Sequence, residues 1–155
     1  MPRVIEAQLT ASDFQLELYV DDYEFPDFDT GHDANTLACE IELDLRRSLD
    51  LHAAHTVVLE TFELASFVDQ LRTLEHTHDG EATLGNPDED SGDQFGLTIR
   101  LKNDNGTLDG FLTDSTTARL SFEQIDIDRA FVQDALAQFA AIAEAFPDRG
   151  DITAD

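Results

Sequence analysis

Residues 37–45 read LACEIELDL, and the spacing within them sets the fold class. Leu37, Cys39, Ile41, Leu43 and Leu45 alternate with Ala38, Glu40, Glu42 and Asp44. Successive side chains of a strand point to opposite faces, so this period of two predicts a β-strand with an apolar side and an acidic side. Residues 14–20 repeat the pattern, with Phe14, Leu16, Leu18 and Val20 on one face and Gln15, Glu17 and Tyr19 on the other. Cys39 falls among the apolar positions, where a small thiol reads as a core residue.

The period changes further along. Residues 55–61 predict a strand with Val57 and Leu59 inward, and then ELASFVDQLRTLEH at 63–76 turns helical. Leu64, Phe67, Val68, Leu71 and Leu74 form its apolar stripe. A turn-rich stretch, HTHDGEATLGNPDEDSGDQ, leaves room for one short strand at 81–84. Phe95, Leu97, Ile99 and Leu101 then alternate, NDNG at 103–106 supplies a turn, and TLDGFLTD returns, which predicts a hairpin. After a second turn, DSTT, the segment ARLSFEQI puts Ala118, Leu120 and Phe122 on one face. A last helix opens on Asp126 or Asp128 and carries the stripe Phe131, Ala135, Phe139, Ile142 and Phe146, with Pro147 and Gly150 marking its end.

Strands joined by short turns pair antiparallel, and amphipathic helices bury their stripes against a sheet. The expectation is an α+β fold: a large, twisted, mostly antiparallel sheet with two amphipathic helices packed on one face. One domain spanning 1–155 is expected, with an ordered core over about 3–147 and a C-terminal tail at 148–155. The halves echo each other faintly, VVLETFELASFVDQL against LSFEQIDIDRAFVQDAL. That echo fits an internal pseudo-repeat and equally a chance likeness of two amphipathic segments.

Charge excludes several function classes. There are 34 acidic residues against nine basic ones, a formal charge of -25, and Lys102 is the one lysine. Residues 1–78 hold 17 acids and four bases, residues 79–155 hold 17 and five, so there is no acidic tail. Such self-repulsion is tolerable where salt screens it, and the pattern is similar to that of proteins from salt-loving organisms. Direct nucleic-acid binding needs clustered Lys and Arg, and an anionic membrane surface makes the same demand. A lone cysteine permits no internal disulfide and suits a reducing cytoplasm. MPRVIEAQLT lacks the apolar stretch of a signal peptide, and no run approaches a membrane span.

Metal and catalytic signatures fail on spacing. An EF-hand loop wants ligands at positions 1, 3 and 5, Gly at 6 and Glu at 12. Counted from Asp27, those later positions fall on Gly31, His32 and Ala38; counted from Asp88, Gly92 stands at 5 and Ile99 at 12. His52 and His55, and His76 and His78 beside Glu75 and Asp79, lack the convergent third ligand of a zinc site. No GxSxG, Walker or GxGxxG motif is present, and Ser91 and Ser115 have no identifiable base. Carboxylates are too numerous for any one pair to carry information. A protein without enzymatic activity, metal or cofactor is expected.

HDANTLACEIEL at 32–43 resembles the Asp-Ala/Gly-Asn-x-Leu strand entry of WapI-type immunity proteins of bacterial polymorphic toxin systems. LETFELASFVDQLRTL resembles that family's strand and following helix. FGLTIRLKNDNGTLDGFL and ARLSFEQIDIDRAFVQDAL resemble its sheet-to-terminal-helix segment, in which an Asp opens the helix. The likeness spans about residues 10–146, departing at Thr36, where an aromatic is expected, and in its acidity. The resemblance implies a small cytoplasmic protein that binds and neutralises the toxic domain of a cognate secreted toxin. An acidic inhibitor steers onto a cationic groove, so that toxin domain can be basic. Two other readings stay open: a salt-adapted structural or binding domain with no toxin partner, and an acidic nucleic-acid mimic acting on nucleases. Oligomeric state is not readable.

The candidate docking segment is 21–33, DDYEFPDFDTGHD. Asp21, Asp22, Glu24, Asp27, Asp29 and Asp33 would supply charge, and Tyr23, Phe25 and Phe28 would supply anchors, since aromatics commonly dominate binding energy. The competing reading folds these rings into the core while the acids face water.

Overall fold

In β3 (Thr36–Arg46) the alternation is complete: Leu37, Cys39, Ile41 and Leu43 are fully buried while Glu40 and Glu42 are exposed. The computed structural model describes residues 5–11, 13–23, 35–46, 50–85, 94–114 and 119–147. Around β3, chain order runs β1 (Ile5–Ala11), β2 (Phe14–Tyr23), β3, β4 (Asp50–Glu60) and α1 (Thr61–Thr77). The second half repeats this plan with β5 (Asp79–Leu84), β6 (Gln94–Lys102), β7 (Asn105–Thr113), β8 (Arg119–Asp128) and α2 (Arg129–Ala145). The fold is α+β.

The strands form two four-stranded antiparallel sheets, β1-β2-β3-β4 (sheet A) and β5-β6-β7-β8 (sheet B), rather than the single sheet expected. The reason lies between β4 and β5. Turns continue a meander, but the 17 residues of α1 carry the chain away from the edge of sheet A before β5 begins. The apolar sides of the two sheets meet: Phe14 of β2 and Phe122 of β8 lie with ring centroids 5.2 Å apart. Buried residues from both sheets and both helices form one continuous cluster.

Each helix crosses to the other half. α1 follows sheet A and packs on β5, the first strand of sheet B; α2 follows sheet B and packs on β1, the first strand of sheet A. The helices also pack on each other, with Phe67 and Phe139 edge to face at 5.1 Å and 88°. Each sends a glutamine to the backbone of the edge strand it covers. The Gln70 amide accepts from Thr83 N at 2.9 Å and donates to Thr83 O at 3.3 Å. The Gln138 amide accepts from Gln8 N at 2.5 Å and donates to Gln8 O at 2.7 Å. A carboxamide presents one acceptor and donors in one plane, as a neighbouring strand would, so both edges are closed without a further strand.

Local chemistry sets the ends. Asp128, rather than Asp126, caps α2, accepting from Phe131 N at 3.0 Å. α1 stops at His78, which takes a left-handed φ of 61° and returns its N–H to Leu74 O at 2.8 Å. The β6–β7 turn is Asn103–Asp104, with Asn103 at φ 61°, so Asn105 and Gly106 already belong to β7. Gly106 is needed for approach: a Cβ there would stand 1.8 Å from Arg100 O.

Candidate interaction surface

The candidate segment 21–33 begins within β2, where Asp21, Asp22 and Tyr23 are described; Glu24, Phe25, Asp27, Phe28, Asp29 and Asp33 lie outside the described residues. Strict alternation from Phe14 would aim Tyr23 outward with Tyr19. A bulge between Val20 and Asp22 shifts the register, so Asp22 pairs with Ala38 and Tyr23 with Leu37. Tyr23 is therefore half-buried, its ring edge-on to Phe146 at 5.6 Å and its hydroxyl donating to Pro147 O. Asp22 stays exposed. Asp21 lies close enough to Cys39 to help raise its pKa; burial is the larger cause, and the thiol is pushed up to about 12.

The segment joins the two central strands of sheet A, and the outward face of that sheet has an unusual make-up. Registers place Glu17 of β2 opposite Glu42 of β3, and Tyr19 opposite Glu40. Across β3, Glu42 meets Ala54, Glu40 meets Thr56 and Ala38 meets Val58. Tyr19, Glu40, Ile41, Glu42, Ala54, His55 and Thr56 line an open groove of about 540 Å³. Glu17 accepts from Gln15 Nε2 at 2.9 Å and from the Tyr19 hydroxyl, both neutral donors. Glu40 and Glu42 have neither hydrogen bond nor ion pair among the described residues. At the end of the face, Asp44 contacts His52 Nδ1 at 2.7 Å. Val58, 38% accessible, is the large hydrophobic side chain left exposed among the described residues.

The outward face of sheet B is built differently. Arg100 of β6 reaches Glu81 Oε2 at 2.9 Å and Asp109 Oδ2 at 2.5 Å, and the Asp109 hydrogen bond chiefly raises the guanidinium pKa. The other Asp109 oxygen accepts from Gln124 N at 2.8 Å, which holds Gln124 at φ 56° in a bulge of β8. Arg119 lies over the Phe111 ring, 4.7 Å from its centroid. Between the helices, Glu75 accepts from Gln133 at 3.2 Å and from Arg129 at 3.3 Å; these bonds, Gln133 first, hold its carboxyl below the ordinary value. Cations thus interleave the acids on sheet B and at the helix pair, while among the described residues the centre of sheet A's outward face carries no lysine or arginine.

Residues 8–147 match the immunity protein WapI-like family. The chain belongs to that family. A comparison with curated proteins finds no match. Among solved structures, the crystal structure of WHY1 from Arabidopsis thaliana is similar, with a TM-score of 0.56 and 11% identity over 94% of this chain and 86% of that one. That likeness is one of fold.

In this WapI-like chain the described part of the strand-entry motif, from Asn35 onward, is structural. Asn35 is fully buried, and its carbonyl accepts from Thr61 N at 2.8 Å, tying the start of β3 to the start of α1. The histidines do not converge. His52 and His55 project to opposite sides of β4, while His78 serves the end of α1 and lies 3.8 Å from Asp104. Among the described residues no group of three or more His, Cys, Asp or Glu side chains is placed to hold a metal ion, and no helix is long and apolar enough to cross a membrane. Sequence reading missed the Gln70 and Gln138 clamps, which carry no signal beyond a polar residue at the same place in each helix; it read the acidic side of LACEIELDL but not the register that sets Glu17 against Glu42.

Proposed function

We propose that this protein is a non-enzymatic immunity protein of the cytoplasm, which binds the toxic domain of a cognate secreted toxin and silences it by occlusion. Membership of the WapI-like family over residues 8–147 carries this reading. The charge of -25 supports it, because an acidic inhibitor is steered onto a basic toxin. In concentrated salt, steering beyond about 10 Å is screened, and buried contacts must then supply the affinity. Segment 21–33 is a proposed docking element, its acids supplying charge and Phe25 and Phe28 anchors, while half-buried Tyr23 ties its start to Phe146. Co-expression with the toxin domain encoded beside this gene tests the reading: restored growth and a co-eluting complex are expected, and no protection overturns it. Asn at Asp27, Asp29 and Asp33 should weaken the complex with the fold intact; unchanged affinity removes the segment.

The near-absence of lysine and the even spread of charge favour a second reading, a salt-adapted domain with no toxin partner. Collapse of the fold below molar KCl, with no toxin gene adjacent, would select it.

A further inference from the structure

We infer that the outward face of sheet A is the docking surface for the cationic face of the toxin domain, an inference that rests on the immunity reading above. The first argument is geometric. The inner face of this sheet is covered by sheet B and the helices, whereas the outward face of β2, β3 and β4 forms an open groove. Four strands ~4.8 Å apart and ~30 Å long give a face roughly 20 Å wide. With side-chain relief, that approaches the ~800 Å² each partner contributes to a standard interface.

The second argument is chemical. Glu17 and Glu42 stand directly across a central strand pair, and like charges so placed destabilise a sheet. The same molecule relieves such repulsion elsewhere, with Arg100 between Glu81 and Asp109. Among the described residues no lysine or arginine stands between these carboxylates; His55 borders the same groove, and the neighbouring Glu40 makes no ion pair. A local rule broken without internal compensation marks a place where an outside group completes the arrangement. Lysines or arginines of a partner would enter between Glu17, Glu40 and Glu42.

The third argument is apolar. Tyr19, Ala38, Ala54 and exposed Val58 lie on the same face beside the carboxylates. Interfaces take most of their energy from a few aromatic or aliphatic anchors ringed by polar groups. Tyr19, half-buried and held by its bond to Glu17, is pre-set as such an anchor.

The experiment has two arms. In the first, the affinity of the toxin domain is measured by calorimetry for the parent, for Glu40→Lys/Glu42→Lys, for Tyr19→Ala, and for Glu81→Gln on sheet B as a control. A loss of at least thirtyfold for the double variant and tenfold for Tyr19→Ala is expected, with the control within twofold. Equal effects of the sheet A and sheet B changes, or none, overturn the proposal. In the second arm a hexalysine peptide is titrated into the labelled protein at about 0.15 M salt and amide shifts are followed by NMR. Shifts concentrated at residues 17, 19, 40, 42, 54 and 56 support the face; shifts spread over sheet B and the helices overturn it. A parent protein that gives the hexalysine footprint but ignores the toxin domain refutes the immunity reading alone. Glu42→Gln separates partner contact from a folding role, because it should raise the thermal midpoint of the free protein while weakening the complex.

Discussion

Replacing Gln138 by Ala tests whether the helices close the sheets. Gln138 makes two hydrogen bonds to the backbone of Gln8, at 2.5 and 2.7 Å, on an edge strand that has no second neighbour in its sheet. An intramolecular hydrogen bond contributes about 0.5–1.5 kcal/mol net. Water reaches this site, since Gln8 is exposed and Gln138 half-buried, so about 1 kcal/mol each is the fair value. Ala is the better helix former by about 0.4 kcal/mol, leaving a net loss of about 1.5 kcal/mol. In a chain of this size that lowers the thermal midpoint by roughly 3–6 °C. Gln70→Ala, whose bonds to Thr83 are longer at 2.9 and 3.3 Å, should cost about 1 kcal/mol. The clamps share no hydrogen-bond partner, so the double variant should lose close to the sum.

Urea unfolding at fixed molar KCl gives these values. Glu at 138 is the informative control: it keeps an acceptor for Gln8 N but sets a carboxylate against Gln8 O, so it should cost at least as much as Ala. Size-exclusion at low and molar salt adds a second readout. An uncovered β1 should pair with another chain once the repulsion between molecules of charge -25 is screened. Midpoints within 0.3 kcal/mol of the parent for both single variants, on the ~1 kcal/mol scale expected of such bonds, would refute the clamp.

Gly96→Ala should destabilise by about 1–3 kcal/mol, because its Cβ would stand 2.2 Å from the Phe111 ring; preserved stability in urea would show that Phe111 moves freely aside. Cys39, fully buried with its thiol pushed up to about 12, should resist maleimide at any pH where the fold persists, and labelling faster than global unfolding would contradict its burial. Glu75 has a folded pKa below its unfolded value, so its contribution is present above the ordinary carboxylate range and lost as pH falls through the folded value. The stability gap between the parent and Glu75→Gln should therefore be constant near neutrality and close in acid; a gap independent of pH would contradict the Gln133 and Arg129 bonds.

Periodicity made most elements legible because each strand of sheets A and B has one dry side. The strand 5–11 passed unread although Ala7, Leu9 and Ala11 alternate with Gln8 and Thr10, since two of its three inward residues are alanines and carry little hydropathic contrast. The division into two sheets was hidden for another reason. Antiparallel neighbours follow from turn lengths, but nothing in a sequence says whether strands on either side of a helix share a ladder. The orientation of Tyr23 depends on one bulged residue, and a bulge inverts every alternation argument beyond it. Even the echo between the halves was legible only in part. Phe67-Val68 lies in the second turn of α1 and Phe131-Val132 in the first turn of α2, so the matching letters sit a turn out of structural register. Gln70 and Gln138, each tenth in its helix, mark the true correspondence.

That correspondence sharpens the argument about charge. The two halves share a plan of four strands and a helix, and they carry nearly equal excesses of acid, 17 against four and 17 against five. Adaptation to salt alone would treat the equivalent sheet faces alike. They are not alike. Sheet B sets Arg100, Lys102 and Arg119 among its outward acids, and Asp109 both neutralises Arg100 and fixes the β8 bulge, so charge there serves the fold. In the first half the described arginines stand at the end of β3 (Arg46) and on α1 (Arg72), leaving Glu17, Glu40 and Glu42 to repel one another at the centre of sheet A. Moving one arginine onto β2 or β4 would relieve that repulsion at no cost to packing. A face left frustrated where its counterpart is paired is the asymmetry expected when the missing cations belong to a partner.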